Sequence, residues 1–198
     1  MIERFIHTTL NMMSPILLAA LGGLFTDLAG MLNIGLEGML LISAFFSIFV
    51  TSLTQSLLLG ILAGIAAAMM LGFMMSYFSM NLGANVFVVG LATNLFAGGL
   101  TVFLMANLLG SKGTVTFPNI PPAGSIKIPF IDRIPVVDTL LSGYNIFTYL
   151  SILAVIICFL VVFKTPYGYH LRAVGEDKNA ARSIGVSVYK HRLISFLV

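Results

Sequence analysis

The sequence predicts an all-α polytopic membrane protein: a helical bundle of about five complete transmembrane spans, a truncated sixth and a short cytoplasmic helix. Three observations predict it. Of the 198 residues, 59% are hydrophobic and only 9% charged, against about 25% charged in a soluble domain. Between Glu37 and Lys112 there is no Asp, Glu, Lys, Arg or His, which leaves room for roughly three membrane helices of about 20 residues each. The apolar runs are unbroken, whereas the strands of a membrane barrel alternate. An ordinary soluble enzyme, a disordered chain and a disulfide-stapled secreted domain are thereby excluded.

The spans follow in order. The first covers about residues 10–29, the second 36–51, the third 56–79, the fourth 84–109 and the fifth 145–163. The apolar stretch of the first is long for a signal sequence and further spans follow at once, so it reads as retained. A sixth begins near Leu193, and the six residues to Val198 cannot cross a core of about 30 Å. The expectation is therefore one transmembrane domain, 1–198, incomplete at its C-terminus.

Two polar segments give the direction. Residues 107–144 carry three basic residues, Lys112, Lys127 and Arg133, with turn prolines such as Pro118 and Pro121. Residues 164–192 carry six: Lys164, Arg172, Lys178, Arg182, Lys190 and Arg192. The positive-inside rule puts 164–192 in the cytoplasm and 107–144 outside. Counting back through five spans puts the N-terminus outside as well.

Polar groups within the apolar segments are candidates for function. Asp27 and Glu37 lie within or at the edge of apolar helices, where a carboxylate is costly and faces a cavity, a partner or the interface. In the run from Ala29 to Gly38, the residues Gly30, Asn33, Gly35 and Gly38 weaken regular helix. Irregular backbone at membrane depth is tolerated where it is buried in protein or lines a watery path. The segment reads either as a pathway or gate element or as an interfacial turn with a wet Glu37. In the fourth span Thr93 and Asn94 could bond a passing polar solute or join helices, and the second reading is favoured. Gly60, Gly64, Ala68 and Gly72 share one helix face and predict a close helix contact.

The cytoplasmic loop, read from Tyr167 to Lys190, is the strongest local signal. Asp177 is an N-cap candidate, Lys178 to Ile184 a short helix, and Gly185 its C-terminal stop. It reads as a docking knob for a soluble partner or as a solvated charged loop. No catalytic, cofactor or metal site is predicted. His7, His170 and His191 are scattered, no phosphate-binding loop is present, and Cys158 stands alone in an apolar run. The few basic residues border spans, so the net charge of +3 points to membrane orientation and not to nucleic acid.

The run Leu28-Ala29-Gly30-Met31-Leu32-Asn33-Ile34-Gly35-Leu36-Glu37-Gly38 resembles the hallmark of ABC importer permeases of the branched-chain amino acid/simple sugar class, and within them the nucleoside (guanosine-type) branch. Leu171 to Glu176, followed by Asn179-Ala180-Ala181 and Gly185, is similar to that family's coupling loop, with Asn179 standing where Glu is usual. The resemblance covers essentially the whole chain, and members are usually about half as long again. It implies a pathway formed with a second permease subunit, a cytoplasmic ABC ATPase dimer and an extracellular solute-binding lipoprotein. Gly175, Glu176, Asn179, Ala180, Ala181 and Gly185 would be the ATPase-coupling residues. Asp27, Asn33, Glu37, Thr93 and Asn94 are the pathway or gate candidates. The implied cargo is a nucleoside or related simple sugar, and ATP would be hydrolysed by the partner chains. The competing expectations are an ion-coupled secondary transporter or channel using Asp27 and Glu37, and a scaffold that recruits a partner without moving solute.

Overall fold

The computed structural model describes residues 2–110, 117, 120, 121, 124 and 143–198. Most of the segment read as an external loop, with Lys112, Lys127, Arg133 and Pro118, lies outside the described residues. The described regular structure is helical: α1 (Ile2–Leu28), α2 (Leu36–Thr54), α3 (Leu57–Met80), α4 (Val86–Leu109), α5 (Ile146–Lys164), α6 (Pro166–Glu176), α7 (Lys178–Ser183) and α8 (Val188–Leu197). Helices α1 to α5 are each long and apolar enough to cross a membrane. Their outward faces are apolar, with Met70 74% and Leu95 79% exposed, as expected of helices whose surroundings are lipid. The five expected spans are therefore present, and α1 starts well ahead of residue 10.

Within residues 164–192, α6 and the first half of α8 form beside the short helix expected there. Pro166 occupies the first position of α6, where its fixed φ suits a helix start and its missing N–H costs nothing. Gly168, Leu171 and Val174 form the buried stripe of α6. Two glycines in eleven residues hide that helix from a propensity reading.

The chain divides into two compact units. One comprises residues 1–21 and 122–165. In it, the Thr148 hydroxyl donates to Asn11 Oδ1 at 2.9 Å, and the Asn11 amide donates to His7 Nδ1 at 3.1 Å. His7 Nε2 then donates to the Gly143 carbonyl at 3.2 Å, and its ring stacks on Tyr144 with centroids 4.2 Å apart. Pro15 lies inside α1 and cannot bond the carbonyl of Asn11 four residues back. The Ser14 hydroxyl donates to that carbonyl instead, at 2.9 Å.

The other unit comprises residues 22–121 and 166–198. Helices α2 and α3 are antiparallel, joined by a turn in which Gln55 is left-handed at φ 53°. The small-residue face of α3 makes the close contact expected of it. A Cβ on Gly64 would lie 2.8 Å from the Ser43 carbonyl of α2, and Gly60 abuts Thr51 in the same way. Further along that face, Gly72 meets the Phe196 carbonyl of α8. The sixth apolar element thus begins at Val188, earlier than Leu193, and its Phe196 enters the core with Met31, Met39, Met75 and Ala97.

Candidate functional site

Two features of the second unit bring the predicted residues together: the break between α1 and α2, and the α6–α8 segment.

The C-terminus of α1 is closed by a left-handed glycine. Gly30 has φ 71°, its N–H bonds the Asp27 carbonyl at 2.8 Å, and the Met31 N–H bonds the Thr26 carbonyl at 2.9 Å. This is the Schellman pattern. Seven residues without regular helix follow before α2 begins at Leu36. Ala29, Met31, Asn33 and Gly35 are nevertheless buried, while Gly30, Leu32 and Glu37 are exposed. Gly35 sits against Met75 of α3 and Gly90 of α4. Those residues are five before the end of α3 and four after the start of α4, or about 6–8 Å inward at 1.5 Å per residue. The α2 helix therefore starts inside the bundle, and the backbone ahead of it needs partners there.

Side chains supply them. Asn33 Oδ1 accepts from the Gly35 N–H at 3.0 Å. The N-cap of α2 is Gly35, which has no side chain to cap with. Asn94 caps from the neighbouring helix. Its Oδ1 accepts from the Gly38 N–H at 2.8 Å, and its Nδ2 donates to the Ile34 carbonyl at 3.0 Å. One amide thus satisfies an orphan donor of the first turn and a carbonyl of the irregular segment. The approach requires glycine, since a Cβ on Gly38 would lie 2.9 Å from Asn94 Oδ1 and 3.0 Å from the Ala97 methyl. Thr93 is buried and its hydroxyl donates to the Val89 carbonyl at 2.8 Å.

The five pathway candidates therefore separate. Asn33, Thr93 and Asn94 surround the break, with the amides bonded to backbone. Glu37 is exposed in the first turn of α2. Asp27 is exposed near the end of α1, where it lines a cavity of about 350 Å³ with Leu28, Arg172, Gly175 and Glu176.

In the α6–α8 segment the expected short helix forms. Asp177 Oδ1 accepts from the N–H groups of Asn179 and Ala180 at 2.8 and 3.2 Å. At the other end Gly185 has φ 84°. Its N–H bonds the Arg182 carbonyl and the Val186 N–H bonds the Ala181 carbonyl, both at 3.0 Å. A six-residue helix is marginal alone, and an apolar cluster of Val174, Ala181, Val186 and Val188 holds it. The predicted coupling residues consequently face two ways. Ala181 is 2% exposed and Gly175 packs against the Leu28 carbonyl, whereas Glu176, Asn179, Ala180 and Gly185 are exposed. Ile184, absent from the predicted set, is 72% exposed at the tip.

Arg192 also escaped prediction. Its Nε donates to the Ala29 carbonyl at 3.1 Å. Partial burial pulls its pKa below the ordinary guanidinium value, yet arginine stays charged in proteins. No local pattern marks it, because its partner is a main-chain oxygen 163 residues away.

Five spanning helices and an ordered polar segment between spans define a multi-pass cell-membrane protein. The match to the family of branched-chain amino acid transport system permease components covers residues 5–198, and the chain belongs to that family. It is 34% identical to a guanosine ABC transporter permease protein of Bacillus subtilis, over 98% of this chain and 62% of that protein. It is 30% identical to a nucleoside ABC transporter permease protein of Lactococcus lactis, over 93% of this chain and 60% of the relative. A second Bacillus subtilis guanosine permease protein is 26% identical over 98% of this chain and 56% of its own length. The chain spans about 60% of the length of these relatives. No solved structure matches it.

Proposed function

We propose that this chain forms part of the membrane pathway of an ABC importer that brings a nucleoside or related simple sugar across the cytoplasmic membrane. A second permease subunit completes the pathway, an ATPase dimer docks from the cytoplasm, and an extracellular solute-binding lipoprotein delivers the cargo. The observation that carries the reading is α7: a helix capped at both ends, seated on its own apolar cluster, with Asn179, Ala180 and Ile184 turned outward. Such a rigid knob on the Lys/Arg-rich side of a spanning bundle suits a groove in a soluble engine. The choice of cargo rests on the names of the relatives.

Within this reading, Glu176, Asn179, Ala180 and Gly185 meet the ATPase or shape the surface that does, while Gly175 and Ala181 seat the knob. Glu37, exposed at the start of α2, is the carboxylate available to a pathway, Asn33 and Asn94 hold the backbone beside it, and Thr93 packs near Gly35. The two ATPase states must contact α7 differently to bias the two permease states.

The test is uptake of labelled nucleosides by the full-length permease with its ATPase, competed with ribose and branched-chain amino acids. Deleting residues 178–184 should abolish ATPase association. Retained association, or uptake without ATPase that is sensitive to Asp27→Asn, would overturn the proposal in favour of an ion-coupled carrier.

A further inference from the structure

The α6–α8 segment touches the end of α1 at two points, and both lie on the same three residues. The end of α6 arrives through Gly175, which packs on the Leu28 carbonyl and on Gly30 so closely that a Cβ there would meet both. The start of α8 arrives through Arg192, whose Nε bonds the Ala29 carbonyl. Leu28 and Ala29 supply carbonyls at the C-terminal end of a helix, where partners are missing and partial negative charge collects. The guanidinium is a chemically apt answer to such an end, and the glycine lets α6 pack closely against it. Between the two attachments hangs α7.

Beyond residue 30 the chain is irregular for five residues, and α2 then starts under the grip of Asn94. The break is thus held by the α6–α8 segment at one end and by α4 at the other. Beside the guanidinium lies a cavity of about 280 Å³ bordered by Met31, Ser79, Val86, Arg182 and Tyr189.

We propose that Arg192 is a positioning residue that transmits movement of the α6–α8 segment to the α1–α2 break, with Gly175 on Gly30 as the bearing. A displaced α7 carries Arg192 and Gly175 with it. The Leu28–Gly30 turn follows, and the start of α2, held at Asn94, changes its angle to α1. This inference rests on the proposed docking of an ATPase on α7 and assigns the route by which that docking reaches the pathway.

The test uses the full-length permease with its ATPase in proteoliposomes, with three readouts: ATPase co-purification, ATP hydrolysis and nucleoside uptake per ATP. Arg192→Met should leave co-purification and hydrolysis within about twofold and lower uptake per ATP about tenfold, within the usual range of coupling between sites. Arg192→Lys should restore much of the loss, because its ammonium reaches as far as the arginine Nε. Equal losses of hydrolysis and uptake in Arg192→Met, or unchanged uptake per ATP, would overturn the proposal. A second measurement is independent of that variant's folding. Spin labels at the exposed Leu32 and Leu82, in a Cys158→Ala background, report the break against the α3–α4 turn. Nucleotide binding to the ATPase should shift their separation by about 2 Å, the scale of helix shifts in such switches; an unmoved separation would overturn the route. Failure of the ATPase to bind the wild-type chain would instead remove the proposed function itself.

Discussion

Replacing Asn94 by alanine removes both ends of the bridge between α4 and the start of α2. The Gly38 N–H loses its acceptor at 2.8 Å and the Ile34 carbonyl loses its donor at 3.0 Å. Both bonds are partly buried, and an orphaned buried polar group costs about 1–3 kcal/mol. Side-chain hydrogen bonds between membrane helices have measured worths of only about 0.6–2 kcal/mol, because the unfolded state in the membrane also finds partners. Two bonds weighed against both ranges give a loss of about 2–4 kcal/mol. The assay is equilibrium unfolding of the full-length permease in mixed micelles, where that loss shifts the folded-to-unfolded ratio by roughly 30- to 800-fold. Asn85→Ala is the matched control on the same helix. It removes one N-cap bond, to the Phe87 N–H at 2.9 Å, at an exposed position and should cost about 1 kcal/mol. Asn94→Asp keeps the acceptor for Gly38 but turns a carboxylate oxygen toward the Ile34 carbonyl, so it should be at least as damaging as alanine. An Asn94→Ala protein no less stable than Asn85→Ala would refute the reasoning and free Asn94 for direct contact with solute.

Other substitutions probe the remaining parts. Gly185→Ala puts a side chain at φ 84°, costs about 1–2 kcal/mol, and should raise hydrogen exchange across residues 178–184 while leaving α2–α4 protected. In a Cys158→Ala background, Ala180→Cys and Ile184→Cys should react quickly with a membrane-impermeant maleimide applied from the cytoplasm, and Ala181→Cys slowly; equal rates would mean that α7 is not seated as described. Gly64→Leu drives a side chain into the Ser43 carbonyl of α2 and should abolish stable insertion, whereas Gly98→Leu, whose Cβ would meet nothing within 4 Å, should be tolerated in thermal-shift measurements.

The spans were legible because a membrane demands long, charge-free helices, and that demand is written in composition. The α7 helix was legible because its caps are local: Asp177 and Gly185 lie within one residue or two of its ends. The favoured helix-joining role of Asn94 was readable in kind, since an amide in an apolar span has few other uses, but its partners were not. Gly38 and Ile34 lie 56 and 60 residues away and offer only main-chain atoms, which leave no residue-type signature. The same reason hid Arg192. Helix α6 was missed because Gly168 and Gly175 are poor helix formers, and the close packing that requires glycine at 175 is tertiary. Asp27 and Glu37 drew attention as carboxylates within or at the edge of apolar helices, and both are exposed near helix ends.

The arrangement explains why an amide-and-glycine run begins a membrane helix here. A helix that starts inside the bundle has unsatisfied N–H groups with no water to meet them, a cost that hydrocarbon makes severe. A serine or aspartate at the N-cap would meet it locally, but here the cap position is a glycine that Met75 and Gly90 approach closely. The bond is therefore made from α4, and α2 can change its angle only by moving against Asn94. A local cap would travel with α2 and leave its orientation free. A cap supplied from a neighbouring helix ties orientation to the bundle at the end of the irregular residues 31–35. Anchorage on both sides of a short irregular stretch is the mechanical requirement of a joint, and the sequence meets it with one asparagine, one arginine and the glycines that let them approach.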